Sequence, residues 1–297
     1  MKKKTISRRE FIKTGAAGVA AGSLALAWPA KARAQAPPRT RVVLIRAKDV
    51  LDESGATRLD VVQRMLDEAV KTLLGEKEAS VAWKKIVKPD DIVGIKTNVW
   101  RALPTPPQLE EAIRNSVLAA GVKAENISVR DRGVLEDPIF MKATALVNVR
   151  PMRTHDWSGL GTLIKNYIMF VPDPPRFHPD SCADLAALWQ IPEVKGKTRL
   201  NVLVMLTPLF HSVGPHGFNP VYVWKYNGLL VGLDPVAVDA TGARIIQAKR
   251  REFFGEDRPI NPPPKHIELA DSRHHLGTAD PNKLELVKLG WQEGVLI

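Results

Sequence analysis

Residues 41–47 read R-V-V-L-I-R-A, a short β-branched run that predicts a buried strand. Beyond it the apolar positions Leu59, Val62, Leu66, Val70 and Leu73 recur at helical spacing. Gly75 stands where a left-handed stop belongs, so a helix is expected from Leu59. Lys88-Pro89-Asp90-Asp91 reads as a turn and residues 92–95 (I-V-G-I) as the next strand. Pro106-Pro107 opens a helix through Ala120, closed by Gly121, and residues 126–130 give a third strand. Strand, helix, strand at this spacing is a βαβ unit, which requires parallel pairing and a right-handed crossover.

The alternation continues. Strands are expected at 145–149, 200–206 and 228–233, with a short helix at 183–189. Residues 207–219 carry no periodicity and read as a loop. Asp234 as N-cap with Pro235 in the first turn predicts a strong helix start. Pro262-Pro263-Pro264 opens a last helix through His275, and residues 283–288 alternate as a final strand. The fold class expected is α/β, an open, mostly parallel twisted sheet with helices on both faces.

The N-terminus has a different pattern. Lys2-Lys3-Lys4 precedes S-R-R-E-F-I-K (residues 7–13), a weakly apolar stretch at 15–28, and an A-x-A site at Ala32-Arg33-Ala34. The S-R-R-x-F-I-K arrangement resembles a twin-arginine export signal. Its 14-residue apolar stretch falls short of the roughly 20 residues a membrane span needs, so no stable membrane anchor is expected. The expected division is residues 1–34 as signal peptide, 35–40 as a Pro-containing linker, and 41–297 as a single α/β domain. Passage through the twin-arginine translocase would deliver the folded protein to the periplasm.

The net charge falls sharply once that segment is set aside. The chain carries a formal +11, of which the signal contributes +7 through eight basic side chains and Glu10, leaving +4. So small a balance argues against a nucleic-acid partner. Cys182 is the single cysteine, which reads first as a buried small hydrophobe. One thiolate cannot ligate a conventional iron–sulfur centre, so no such cluster is expected; other cofactors stay open.

Candidate chemistry gathers in R-T-H-D-W-S-G-L-G-T-L-I-K-N-Y-I-M-F, residues 153–170. Open parallel sheets bind ligands beyond the carboxyl ends of their strands. By this reading Lys96-Thr97-Asn98, the 207–216 loop and Asp234 all fall there. Lys96, Asn98, Asn166 and the loop histidine His211 are candidates for binding a substrate. Lys165 is a candidate catalytic cation, and His155, beside Asp156, a general base or one arm of a metal site with His178, Asp180 and the loop histidines His211 and His216. No regularly spaced ligand pair supports a metal, whose identity stays unknown. Asp239, an acid in an apolar turn, needs a partner and is the third catalytic candidate. Lys96, Asn98, His155, Lys165 and Asp239 are expected to line one pocket, with an acid or a bound anion beside the two ammonium groups.

Taken together, V-G-I-K-T-N (93–98), T-H followed by G-x-x-I-K-N (154–166), D-P-V-A-V-D (234–239) and I-E-L-A ahead of H-L-G (267–277) resemble the domain-of-unknown-function-362 family. The resemblance runs from about Arg41 to the end. It implies an α/β fold and an enzymatic role with no agreed reaction. Some relatives are labelled iron–sulfur proteins, but this chain lacks their cysteines. Two functions follow: an enzyme acting on a small anionic or carbonyl-bearing substrate, or a periplasmic ligand-, metal- or cofactor-binding or maturation protein without turnover.

Overall fold

The computed structural model describes residues 39–212, Gly214 and residues 216–297, and from Arg39 onward they form one compact unit. The signal segment lies outside the described residues. The strands are β1 (Thr40–Arg46), β2 (Val93–Lys96), β3 (Ile127–Arg130), β4 (Ala145–His155), β5 (Gly159–Gly161), β6 (Thr198–Leu209), β7 (Gly228–Gly232) and β8 (Leu284–Gly290). They form one sheet in the order β3-β2-β4-β6-β7-β1-β8, with β5 folded back on β4. The pairs β3-β2, β2-β4, β4-β6 and β1-β8 are parallel, while β7 is antiparallel to both neighbours. The α/β class and the mostly parallel open sheet read from the sequence are therefore present.

Helices α1 (Leu59–Leu74), α2 (Ala79–Ile86) and α3 (Pro107–Ala119) cover one face, packing on Val43, Ile95, Val147, Val202 and Val231. Helices α4 (Pro235–Phe254) and α5 (Lys265–Ser272), with the turns between residues 160 and 190, cover the other, over Leu44, Leu146, Leu203 and Leu230. Two apolar layers follow from strands whose successive side chains point to opposite faces. Gly75 ends α1 at φ 67° with its N–H on Lys71 and Thr72 carbonyls, and Asp234 caps α4 through Val236 and Ala237 N–H. Helix α2 has no counterpart among the expectations: it is eight residues long, with only Ala82, Trp83 and Ile86 buried.

Two departures bear on function. β4 extends to His155, six residues beyond its predicted end. Pro151 lies inside it, and a register shift against β6 between Pro151 and Arg153 absorbs the missing donor. β7 runs against β6 because the described residues between 210 and 227 hold only the single 3₁₀ turn Pro220–Tyr222, and a parallel return needs a crossover. Gly232 at the end of β7 stands level with Asn201, Asn148 and Lys96, so Asp234 lies three strands across from Lys96, not beside it.

Candidate active site

A row of polar side chains crosses the sheet on the α4 face. In register, Lys96 of β2 stands beside Asn148 of β4, which stands beside Asn201 of β6. Asn148 Nδ2 donates to Asn201 Oδ1 at 3.2 Å and to the Leu163 carbonyl at 3.1 Å. Asn166 Nδ2 donates to the Lys96 carbonyl, Asn148 Oδ1 and the Val149 carbonyl, at 2.9–3.1 Å. These bonds fix the single helical turn Leu163–Asn166 onto the sheet. The turn is held from behind by Asp239 of α4, whose carboxylate accepts the N–H groups of Leu163 at 3.0 Å and Ile164 at 2.9 Å. Burial pushes the Asp239 carboxyl up to about 7, against the pull of those two donors.

Two glycines bring the chain in. At the β4–β5 turn, Gly159 has φ 69°, and a Cβ there would strike the Pro262 carbonyl. On β5, a Cβ at Gly161 would lie 3.1 Å from an Arg150 terminal nitrogen, so the strand closes directly against that guanidinium.

Where the β2 and β4 carboxyl ends meet this turn, a cavity of about 260 Å³ opens. Its walls include Asn98, Arg132, Arg150, Arg153, His155, Lys165, Asn166 and His178, with Trp100 and Trp157 flanking. The cations outnumber the acids, since Asp131 is the one carboxylate in the lining. Asp131 is already engaged: Oδ1 accepts from Lys96 Nζ at 2.7 Å and Oδ2 from Val99 N–H at 3.0 Å. Burial raises the Asp131 carboxyl, but Lys96, the Val99 amide and Arg150 together hold it below its usual value.

Arg150 is the unusual member. It is 4% exposed, and among the described residues its guanidinium makes no hydrogen bond and its Nε is buried without a partner. Burial lowers its pKa to about 10, opposed by Asp131 and Asp239, and it remains charged. Arg153, equally buried, donates to Asn98 Oδ1 at 2.9 Å and lies over the Trp100 ring at 4.5 Å, while its Nε also lacks a partner. Buried charge without a counter-charge is costly, and native proteins seldom keep it unless something else completes it.

Lys165 is 3% exposed, and its only hydrogen-bond partner among the described residues is Cys182 Sγ at 3.4 Å. Burial first, then Arg150, lowers its pKa to about 8, against the opposing pull of Cys182. Cys182 is held there by a left-handed turn, with φ of 48°, 58° and 62° at Asp180, Ser181 and Cys182. His155 is kept neutral: burial, then Lys165, Arg150 and Arg153, push its pKa far down. Its Nδ1 lies 3.0 Å from Asp156 Oδ1 and 3.2 Å from the Trp157 amide. The Trp157 N–H also has Asp156 Oδ1 at 3.1 Å as an acceptor. The Trp157 N–H donates to Nδ1, so the neutral imidazole carries its ring proton on Nε2. His178 stacks on Trp157 at 4.1 Å between ring centres, and burial and Lys165 lower its pKa too.

Of the residues singled out from sequence, Asn98, His155, Lys165 and Asn166 line this one cavity. Lys96 lies beneath it, fully buried, and is tied to Asp131, the Thr97 carbonyl and Asn166 Oδ1. Burial lowers its pKa to about 8 despite Asp131. Asp239 lies behind the lysine-bearing turn, outside the lining, and among the described residues it orients no cation through a hydrogen bond. His211 is elsewhere: its Nδ1 is 2.8 Å from an Arg250 nitrogen, and its ring packs on Tyr222 and Phe254. Asp180 pairs with Lys265 at the surface, and among the described residues no group of three or more His, Cys, Asp or Glu could hold a metal. Arg132, Arg150 and Arg153 were not singled out. Period-two alternation carried past Pro151 would have found Arg150, since it puts Asn148, Arg150 and Met152 on one face.

Residues 135–244 match the model of a domain of unknown function, DUF362, and residues 5–25 match that of a twin-arginine translocation signal sequence. The DUF362 match takes in β4, the Lys165 turn, and Asp239, and leaves V-G-I-K-T-N and the C-terminal motif outside. No curated protein and no solved structure matches the chain. Among the described residues no helix is long and apolar enough to cross a membrane.

Proposed function

Because this chain carries a twin-arginine export signal and a DUF362 region over residues 135–244, we propose that it is a periplasmic enzyme acting on a small organic anion. The anion is a carboxylate or phosphate ester held in the cavity between β4 and the Lys165 turn. The observation that carries this reading is Arg150, a buried guanidinium without a hydrogen-bond partner among the described residues, on the wall of a cavity rich in cations. An anionic group there would supply the missing counter-charge and accept a bidentate pair of hydrogen bonds. The cavity is smaller than the roughly 300–1,000 Å³ typical of drug-sized ligand sites, which favours a small metabolite.

The enzymatic part rests on Lys165 and His155. A lysine whose pKa is near 8 shares this lining with a neutral histidine, and a lysine so poised is able to move a proton at neutral pH. Asn166, Asn148 and Asp239 hold the turn that presents Lys165. Lys96 with Asp131 forms the floor.

The test is titration of the mature protein with carboxylates, phosphate monoesters and neutral sugars, followed by quenching of Trp100 and Trp157 fluorescence. Saturable quenching by an anion, weakened by salt, is expected, followed by chemical change in that ligand by NMR. Recovery of a bound ligand unchanged would assign the protein to capture without turnover. Absence of any anion response, or an equal response to neutral sugars, would overturn the reading.

A further inference from the structure

The cavity has two lysines at its base, and their surroundings differ in one respect that decides their chemistry. Both are nearly inaccessible, Lys96 at 0% and Lys165 at 3% exposure. Lys96 Nζ has three oxygen partners, the Asp131 carboxylate, the Thr97 carbonyl and Asn166 Oδ1, enough for its three N–H bonds. Its lone pair is not available. Lys165 Nζ, among the described residues, has no oxygen partner and no carboxylate within hydrogen-bonding distance. Its one contact is the weakly accepting Cys182 sulfur. It belongs to the cavity lining, and Arg150 is near enough to repel its charge. Desolvation and a neighbouring cation are the two circumstances that make a lysine amine nucleophilic near neutral pH.

We propose that Lys165 forms an imine with a small 2-oxo carboxylate, whose carboxylate group lies on Arg150 and whose carbonyl carbon faces Nζ. This rests on the anion-binding reading above and names the substrate class for it. The neutral amine adds to the carbonyl carbon, forming a C–N bond while the carbonyl oxygen takes up a proton. That proton is the one the nitrogen gives up, so the product of this step is a neutral carbinolamine. The remaining N–H proton then passes to the hydroxyl group, which leaves as water, and C=N is formed. The balance is one amine and one ketone in, one imine and one water out, with no oxidant or reductant. A 2-oxo carboxylate fits because its anion and its electrophile are adjacent atoms, as are the demands of an unpartnered guanidinium and an unpartnered amine on one wall. Burial and Arg150 supply the further condition, a Lys165 pKa near 8, which keeps a useful fraction of free amine at neutral pH.

The experiment uses the mature protein with pyruvate as probe and cyanoborohydride as trap, read by intact mass and peptide mapping. One reduced pyruvate adduct is expected, on Lys165 and not on Lys96. It should be absent in Lys165→Arg and Lys165→Met, the second variant covering the case in which arginine is not accommodated. In Arg150→Met it should fall by about 10-fold or more, the effect of losing a charge-assisted hydrogen bond. Acetone, which has the carbonyl but no carboxylate, should label far less. Lactate, which has the carboxylate but no ketone, serves as the discriminating control. If lactate quenches Trp100 and Trp157 saturably but pyruvate leaves no adduct on Lys165, the imine is wrong and the anion site stands. If neither ligand is bound, both readings fall. An adduct spread over surface lysines and unaffected by Arg150→Met also overturns the proposal.

Discussion

Lys96 Nζ stands 2.7 Å from Asp131 Oδ1, with both side chains buried at the end of β2. That pair separates the two lysines that looked alike in sequence, each followed closely by an asparagine at the end of an apolar run. One has its counter-ion within the protein. The other, Lys165, has none among the described residues. Lys96→Met should therefore destabilise the fold by about 3–5 kcal/mol, since it leaves the Asp131 carboxylate buried without its cation. Denaturant unfolding checks this. The double variant Lys96→Met/Asp131→Asn should recover much of the loss, and a Lys96→Met single variant as stable as the parent would contradict the assignment.

Asp239 predicts a pH dependence. Its folded pKa is near 7, above the ordinary 3.8, so between those values the folded chain holds a proton that the unfolded chain has lost. Stability contributed by this group is complete below about 3.8 and declines as pH rises towards 7, by at most about 1.4 kcal/mol per pH unit. Asp239→Asn should remove that slope while keeping an acceptor for the turn. Asp239→Ala should cost about 1–3 kcal/mol or more, because the Leu163 and Ile164 N–H groups lose their acceptor. Melting temperatures from pH 4 to 8 for the three proteins supply the comparison. Identical slopes in parent and Asn variant would count against the protonated carboxyl.

Much of the fold was legible in the sequence because its elements obey local rules. Gly75 and the Asp234-Pro235 pair mark helix ends through backbone geometry that neighbours do not alter. The site was legible only where a motif stood out. Asn98, Lys165 and Asn166 stood out at the ends of apolar runs and His155 through its neighbour Asp156, and all four line the cavity. Arg150 was hidden by Pro151, which ordinarily ends a strand, and its burial depends on β5 folding back through Gly159 and Gly161. Such a contact, set by tertiary closure, leaves no local trace. His211 was misplaced for a related reason: a loop reading says nothing about where the loop packs, and here Arg250 and the Tyr222 and Phe254 rings hold it away from the cavity. The antiparallel β7, which leads Asp234 into its place as the cap of α4, likewise follows from the missing crossover helix, not from the strand's own residues.

The export signal makes a separate prediction. Changing Arg8 and Arg9 together to lysine should leave the full-length precursor in the cytoplasm, because the pair and not its charge alone is what the S-R-R-x-F-I-K motif presents. Cell fractionation with immunodetection gives the answer. Mature protein exported at the parental level would show that another route reads this signal.

If Arg150 is kept for a ligand at a cost to the empty protein, one paired measurement on Arg150→Met shows it. Ligand-free thermal unfolding and anion titration are followed on the same preparation. Replacing a buried unpaired charge with an apolar side chain of similar length should raise stability by about 1–4 kcal/mol. For a domain of this size that is an increase of about 2–4 °C in Tm per kcal/mol. The same change should abolish saturable quenching by small anions. A variant that melts well below the parent and still binds the anion would mean that Arg150 is satisfied within the fold, and the account of the cavity as an anion site would be wrong.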